Sequence, residues 1–259
     1  LLKSAGKTLK AITDEVEKSG ISQVFTLKTS VEIHGNVIYR QLNVSNIIGL
    51  IEGTDLKNEY IILSAHHDHE GIVKGEIYNG ADDNASGVSG VLEIARLIAK
   101  AKREGYGLRR SVAVLFPAAE ESGLIGSRFY VNHPVFPLAD TKACVNVDMI
   151  GRIDDRYKSA DSSYIYIVND EQTNGHMLEL ADRSNTDKII LNTKSLNSLF
   201  RRSDHYNFAR HGIPAVLLTS GLHKDYHTPG DDTELINFGA MWKRSRFIFS
   251  LVCSLANSD

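Results

Sequence analysis

Cysteine and proline are scarce in this 259-residue chain, with two and five copies. Two thiols, Cys144 and Cys253, are too few for a four-thiolate zinc site or a disulfide scaffold. Their apolar neighbours favour free buried thiols over a bridge. A charge excess of one sign is also missing. Lys and Arg number 29 against 32 Asp and Glu, so no basic surplus is offered to nucleic acid or an anionic membrane surface. Apolar runs are strand-sized, and no segment is long enough to span a bilayer. Twenty glycines beside so few prolines exclude a collagenous or low-complexity chain. What remains is an ordinary globular composition, 42% hydrophobic and 24% charged. Its length suits one large α/β domain or two small ones. Histidine is plentiful, ten in all, and most lie within 66–69 or 205–227. The chain opens on Leu1 rather than Met, which reads as a processed protein or a piece of a longer one.

Residues 1–19 carry an amphipathic helical pattern, with Leu2, Leu9, Ile12 and Val16 near one face and Gly20 as its stop. Residues 23–52 alternate apolar and polar around a turn at His34-Gly35-Asn36, the pattern of an antiparallel hairpin. From residue 60 short continuous apolar runs take over, at 61–63, 112–116, 143–145, 164–168 and 215–218. Such runs fit strands buried on both faces. Helical stripes fall between and after them, as in Val88, Val91, Leu92, Ala95 and Ile98, and in the last helix from Met241 to Leu255. The alternation predicts a three-layer α/β/α domain with a mixed, mostly parallel central sheet, the hairpin adding antiparallel edge strands. Residues 152–163 are polar and read as a surface loop. No linker marks a second domain, so 1–259 reads as a single domain, with 1–45 leading into it.

Ligands of open α/β sheets bind at the carboxyl ends of the strands. The polar residues that follow the apolar runs are therefore the candidates. His66 and Asp68 follow the first run, Glu120 and Glu121 the second, Asp148 the third, and His227 comes in the loop after the last. Gly80-Ala81-Asp82-Asp83-Asn84 precedes the first strong helix. Imidazole with carboxylate and no thiolate suits Zn²⁺, with Mn²⁺ or Co²⁺ as substitutes. The carboxylates are too many for one tetrahedral zinc. They suit a two-metal site with a bridging carboxylate and ions about 3.5–4 Å apart. Each element also has a plainer reading: a solvated His66–His69 loop, an Asp82-Asp83-Asn84 helix cap, dipole-complementing Glu120-Glu121, a turn at Asp148. The joint pattern is what argues against coincidence.

Five ordered segments carry a resemblance. They are Ala65-His66-His67-Asp68-His69, Asn79 to Gly87, Glu120 to Ser127, Asn146 to Arg152, and Tyr226 to Asp232. Together they resemble the co-catalytic dizinc aminopeptidase family, which also holds glutamate carboxypeptidases, glutaminyl cyclases and transferrin-receptor ectodomains. The likeness covers roughly residues 45–256 and implies a zinc-exopeptidase-like fold. By that resemblance His66 and Asp148 hold one zinc, Glu121 and His227 a second, and Asp82 bridges them. It also implies a cis Asp82–Asp83 peptide and Glu120 as general base toward a metal-activated water. Asp68 is expected to orient the His66 ring, since i and i+2 of an extended backbone point the same way. His67 and His69 are expected to be loop residues. Tyr226 is expected either to donate to the developing oxyanion or to pack. Ser203 reads as the N-cap of a helix near the pocket, and His205 is not assigned to metal. Arg152, Arg201 and Arg202 read as surface before substrate contacts.

The expected activity is therefore that of a zinc exopeptidase, an aminopeptidase first, with two zinc ions per chain and a peptide as substrate. A carboxypeptidase, a glutaminyl-cyclase-like enzyme and a non-catalytic receptor-like module are the alternatives. Cyclases of this kind lack the histidine that His66 supplies, and receptor-like relatives have lost ligands, whereas this chain keeps both base and ligands. The resemblance also implies an exported parent protein, in which residues 1–45 rejoin the catalytic domain after an inserted domain.

Overall fold

The structure, a computed structural model, describes every residue except 1, 23, 28–29, 31, 36–40, 42, 160–161, 170–174, 194–196 and 259. The chain falls into two compact units, residues 1–43 and 44–259.

The first unit holds a short 3₁₀ turn at Leu2–Ala5 and helix α1, Leu9–Ser19. Thr8 caps α1, its hydroxyl accepting the Ala11 N–H at 3.1 Å. Gly20 ends it with a left-handed φ of 67°, the stop that the sequence predicts. The described residues between 21 and 46 form no strand, turn residue Asn36 lies outside the described residues, and the end of the expected hairpin, Ile47–Ile51, is a strand that pairs instead with residues 112–116.

The second unit runs through strands β1 (Ile47–Ile51), β2 (Leu56–Ser64), β3 (Gly71–Val73) and β4 (Glu76–Tyr78) into helix α2 (Gly87–Arg103). Next come β5 (Arg110–Phe116), α3 (Ile125–Asn132), β6 (Thr141–Val147) and β7 (Tyr164–Asn169). Then follow α4 (Gly175–Ser184), β8 (Ile190–Asn192), α5 (His205–Ala209), β9 (Ala215–Thr219) and α6 (Phe238–Asn257). Seven strands form one sheet in the order β1-β5-β2-β6-β9-β7-β8, while β3 and β4 pair apart from it. The four central strands β5, β2, β6 and β9 run parallel, and β1 and β7 pair antiparallel with β5 and β9. This is the expected mixed, mostly parallel sheet, with β1 as its antiparallel edge.

Alternation along each strand builds two cores. Ile61 and Leu63 of β2 face α2, α4 and α6, where Val91, Ile94, Leu180, Phe247 and Leu251 pack. Ile62 faces the other way with Ala113, Leu115 and Cys144, against Tyr130 of α3 and Phe208 of α5. Helices on both faces complete the three layers. Fully buried Arg244 of α6 donates to the carbonyls of Ile150, Arg152 and Tyr164. It ties down the stretch after β6 that composition assigns to the surface, and Asp154 within that stretch is buried. Because the four parallel strands are neighbours, their carboxyl ends open side by side on one edge of the sheet.

Candidate active site

Each central strand delivers its residue just past its end. His66 follows β2, Glu120 and Glu121 follow β5, Asp148 follows β6, and His227 lies in the loop after β9. The backbone is unusual at one of these positions and next to two others. Ala119, Met149 and His227 hold left-handed φ values of 55°, 58° and 54°, a region that side chains with a Cβ seldom adopt.

The carboxylate at the centre belongs to Asp83, not Asp82. Its Oδ1 lies 3.3 Å from Nε2 of His66, and its Oδ2 lies 3.0 Å from Nε2 of His227. Asp148 Oδ1 is 3.4 Å from the same His66 nitrogen, and Glu121 Oε2 is 3.1 Å from the same His227 nitrogen. Asp82 turns the other way. Its Oδ1 accepts the Gly151 N–H at 2.6 Å and the Ser86 hydroxyl at 2.8 Å, and its Oδ2 lies 3.4 Å from His223. The cause is local: the turn at Ala81–Ser86 departs from helical dihedrals at Asp83 and Asn84, so successive side chains leave on different sides. The cis peptide is Asp83–Asn84 rather than Asp82–Asp83. Of the three residues read as a helix cap, Asn84 makes the bond: its Oδ1 accepts the N–H of Gly87 and of Met149, each at 3.1 Å. That joins the start of α2 to the end of β6 so closely that a Cβ at Gly87 would sit 2.7 Å from the Val147 carbonyl.

Asp68 does more than stand beside His66. Its carboxylate accepts the backbone N–H of Glu120 at 3.1 Å and of Glu121 at 3.3 Å. His66 Nδ1 donates to the Asp68 backbone carbonyl at 3.1 Å, with the Asp68 carboxylate farther off at 3.8 Å. Ser203 is not a helix cap: Asp204 precedes α5, and the Ser203 hydroxyl donates to Asp148 Oδ2 at 2.7 Å. Behind it, Asn146 donates to Ser203 and Ser64 donates to Asn146, each at 2.7 Å. His67 bonds the Pro117 carbonyl, a loop role as expected, but His69 lies 2.8 Å from Glu121. Tyr226 stacks on the His227 ring at 3.9 Å, and its hydroxyl accepts from Arg202 at 3.3 Å. Arg202 thus reaches the cleft, whose apolar wall is Met149, Leu199, Leu217 and Leu222.

The electrostatics set the two glutamates apart. Burial pushes the Glu120 carboxyl up to about 9, against the pull of His66 and with Asp148 and Asp204 adding to the rise. Burial works the same way on Asp83 and Glu121, yet the facing imidazoles hold both below the usual carboxylate range. His227 is raised to about 10 by those two carboxylates. Imidazolium charge thus balances an acidic cluster. The donors also suit divalent cations. His66, Asp83 and Asp148 offer one set of converging ligand atoms, and Glu121 belongs to two more, with His69 and Asp83 and with Glu70 and His227; His227 Nε2 itself lies 3.0 Å from Asp83 and 3.1 Å from Glu121. His227 Nε2 is buried and makes no hydrogen bond, although two carboxylate oxygens lie within 3.1 Å.

The sequence profile of peptidase family M28 matches residues 46–252, four-fifths of the chain. This chain belongs to that family. It is 25% identical over 221 residues to leucine aminopeptidase 1 of Coccidioides posadasii, covering 83% of this chain and 56% of that protein. It is 28% identical over 236 residues to aminopeptidase YwaD of Bacillus subtilis, covering 88% and 45%. The crystal structure of the LapA aminopeptidase of Legionella pneumophila superposes with a TM-score of 0.68 at 26% identity, over 83% of this chain and 55% of LapA. The chain spans about half the length of the curated relatives it matches. The M28 match begins beside β1 and so covers the second unit, which contains all the site residues.

Proposed function

We propose that this protein is a metallo-aminopeptidase that removes N-terminal residues from peptides, with two zinc ions held between His66 and Asp148 on one side and Glu121 and His227 on the other. The observation that carries this reading is the placement of Asp83, whose two oxygens face His66 and His227 separately. Zinc at these positions would acidify a water and polarise the scissile carbonyl. Glu120 is the base. As a carboxylate beside the cleft it would accept a proton from the attacking water and return it to the departing amine nitrogen. Tyr226 accepts from Arg202, which leaves its own proton free to donate to the carbonyl oxygen. The carboxylates around the cleft favour a substrate's α-ammonium group. Its apolar wall favours an apolar N-terminal side chain, in keeping with relatives named leucine aminopeptidases.

Keeping His66 supports a two-cation hydrolase over a cyclase. The reading carries with it export of the parent protein, which cell fractionation tests. Among the described residues no helix is long and apolar enough to cross a membrane. The deciding experiment is metal analysis with a panel of aminoacyl-chromophore substrates. Two zinc ions per chain, turnover lost on chelation and restored by zinc, and a Glu120→Gln variant that keeps metal but loses about 10²–10⁴-fold in rate are expected. One tightly held ion, or turnover that survives chelation, overturns it.

A further inference from the structure

His69 is a residue that sequence reasoning leaves as loop, and the structure gives it a specific partner. Its ring is nearly buried, with the side chain 8% exposed. Nδ1 lies 2.8 Å from Oε1 of Glu121, while Asp83 Oδ2 is 3.8 Å away, beyond hydrogen-bond reach. The two oxygens of Glu121 are thereby divided: Oε1 meets His69, and Oε2 meets Nε2 of His227. An ionised carboxylate only accepts, so the proton of this bond sits on Nδ1 of His69. Packing fixes the ring. A Cβ at Gly80 would lie 2.5 Å from its Cγ, so the glycine is what lets the backbone pass beside the imidazole. The same segment holds the backbone of its partner, through Asp68 and the Glu120 and Glu121 amides.

Resting on the two-cation reading above, we propose that His69 is a positioning residue for the second cation. Its Nδ1–H occupies Oε1 of Glu121 and leaves Oε2 as the single oxygen for the ion that His227 and Asp83 also face. Outer hydrogen bonds of this kind commonly change metal affinity by about 10–100-fold. The affected ion is the one at Glu121 and His227, while the His66 and Asp148 position is untouched.

The test measures zinc affinity at both positions by chelator competition in the whole protein. It compares the wild type with His69→Gln, which moves the donor away from the Nδ1 position, and His69→Asn, which places an amide N–H close to it. His69→Leu provides a donor-free check, and near-ultraviolet circular dichroism confirms the fold of each variant. The expected result is a weaker second ion in His69→Gln by about 10–100-fold, an unchanged first ion, and a second ion within about threefold of wild type in His69→Asn. Cobalt-substituted His69→Gln is expected to show an altered visible spectrum for the second ion with the same number of nitrogen donors. An unweakened second ion in His69→Gln overturns the proposal, as does equal weakening of both ions. Loss of a nitrogen donor from the cobalt spectrum also overturns it, because His69 is then a direct ligand. A wild type that binds only one ion overturns the underlying two-cation reading instead, so the two failures are distinct.

Discussion

The carboxylate of Asp231 accepts the backbone N–H of Asp83 at 3.0 Å and, through both oxygens, that of Asp82 at the same distance. Asp231 lies four residues after His227. The loop that carries one imidazole is thereby bonded to the turn that carries the central carboxylate. Asp231 is fully buried, so these N–H groups have no water to replace it. Asp231→Ala leaves two buried amides unpaired, at about 1–3 kcal/mol each. Thermal denaturation of the chelated protein is expected to show a melting temperature lower by roughly 10 °C. Zinc affinity is expected to fall with it, because Asp83 and His227 lose their common anchor. A melting temperature within a degree or two of wild type would show that the bonds contribute little.

The assignment of Asp83 rather than Asp82 is open to a one-residue comparison. Asp83→Asn removes the charge whose oxygens face His66 and His227, and is expected to reduce bound zinc below two per chain and abolish turnover. Asp82→Asn keeps an oxygen for Gly151 and Ser86, so zinc content is expected to stay at the wild-type level with stability lower by about 1 kcal/mol. Elemental analysis of the two variants decides it. Metal loss in Asp82→Asn with metal retention in Asp83→Asn would reverse the assignment.

Ser203 tests the chain of hydroxyl and amide groups behind Asp148. Ser203→Ala deletes the donor at Asp148 Oδ2 and the acceptor for Asn146. Affinity for the ion at His66 and Asp148 is expected to drop about 10–100-fold, with the ion at Glu121 and His227 unaffected. Chelator competition reads both. The outcome is the mirror image of that expected for His69, so the pair of variants addresses each ion separately.

The relation of Asp82 to Asp83 shows where sequence reading stops. The continuous apolar runs at 61–63, 112–116, 143–145 and 215–218 became the four central parallel strands, because a strand buried on both faces has no use for polar residues. Strand order then placed His66, Glu120, Glu121, Asp148 and His227 on one edge, and all five are there. Which of two adjacent carboxylates turns inward depends on dihedral angles at Asp83 and Asn84, and spacing does not encode them. The role of His69 was hidden for a related reason. Its partner is 52 residues away, and only the docking of two loops brings them together. Ser203 read as a cap because serine commonly caps helices, yet the half-buried Asp148 carboxylate made a stronger claim on its hydroxyl.

His205 makes a prediction independent of metal. It opens α5, is fully buried, and neither ring nitrogen has a hydrogen-bond partner. Burial pulls its pKa down to about 3 from an ordinary 6.5. The folded protein therefore keeps His205 neutral where the unfolded chain protonates it. Between about pH 6.5 and pH 3 the unfolded state binds one more proton, so this residue lowers stability by about 1.4 kcal/mol for each unit of acidification. Neighbouring Asp204 acts in the opposite sense. Burial raises it to about 6, so the folded state holds the extra proton, and its contribution is lost as pH rises through that value. In the wild type the two effects largely cancel between pH 4 and 6. His205→Leu removes only the first and leaves Asp204 in place. Urea denaturation of both proteins in chelator, at pH 6.5, 5.5 and 4.5, is expected to give curves that diverge by about 1.4 kcal/mol per unit, with the variant gaining toward acid. Parallel curves would mean that His205 finds a proton partner or water in the folded state.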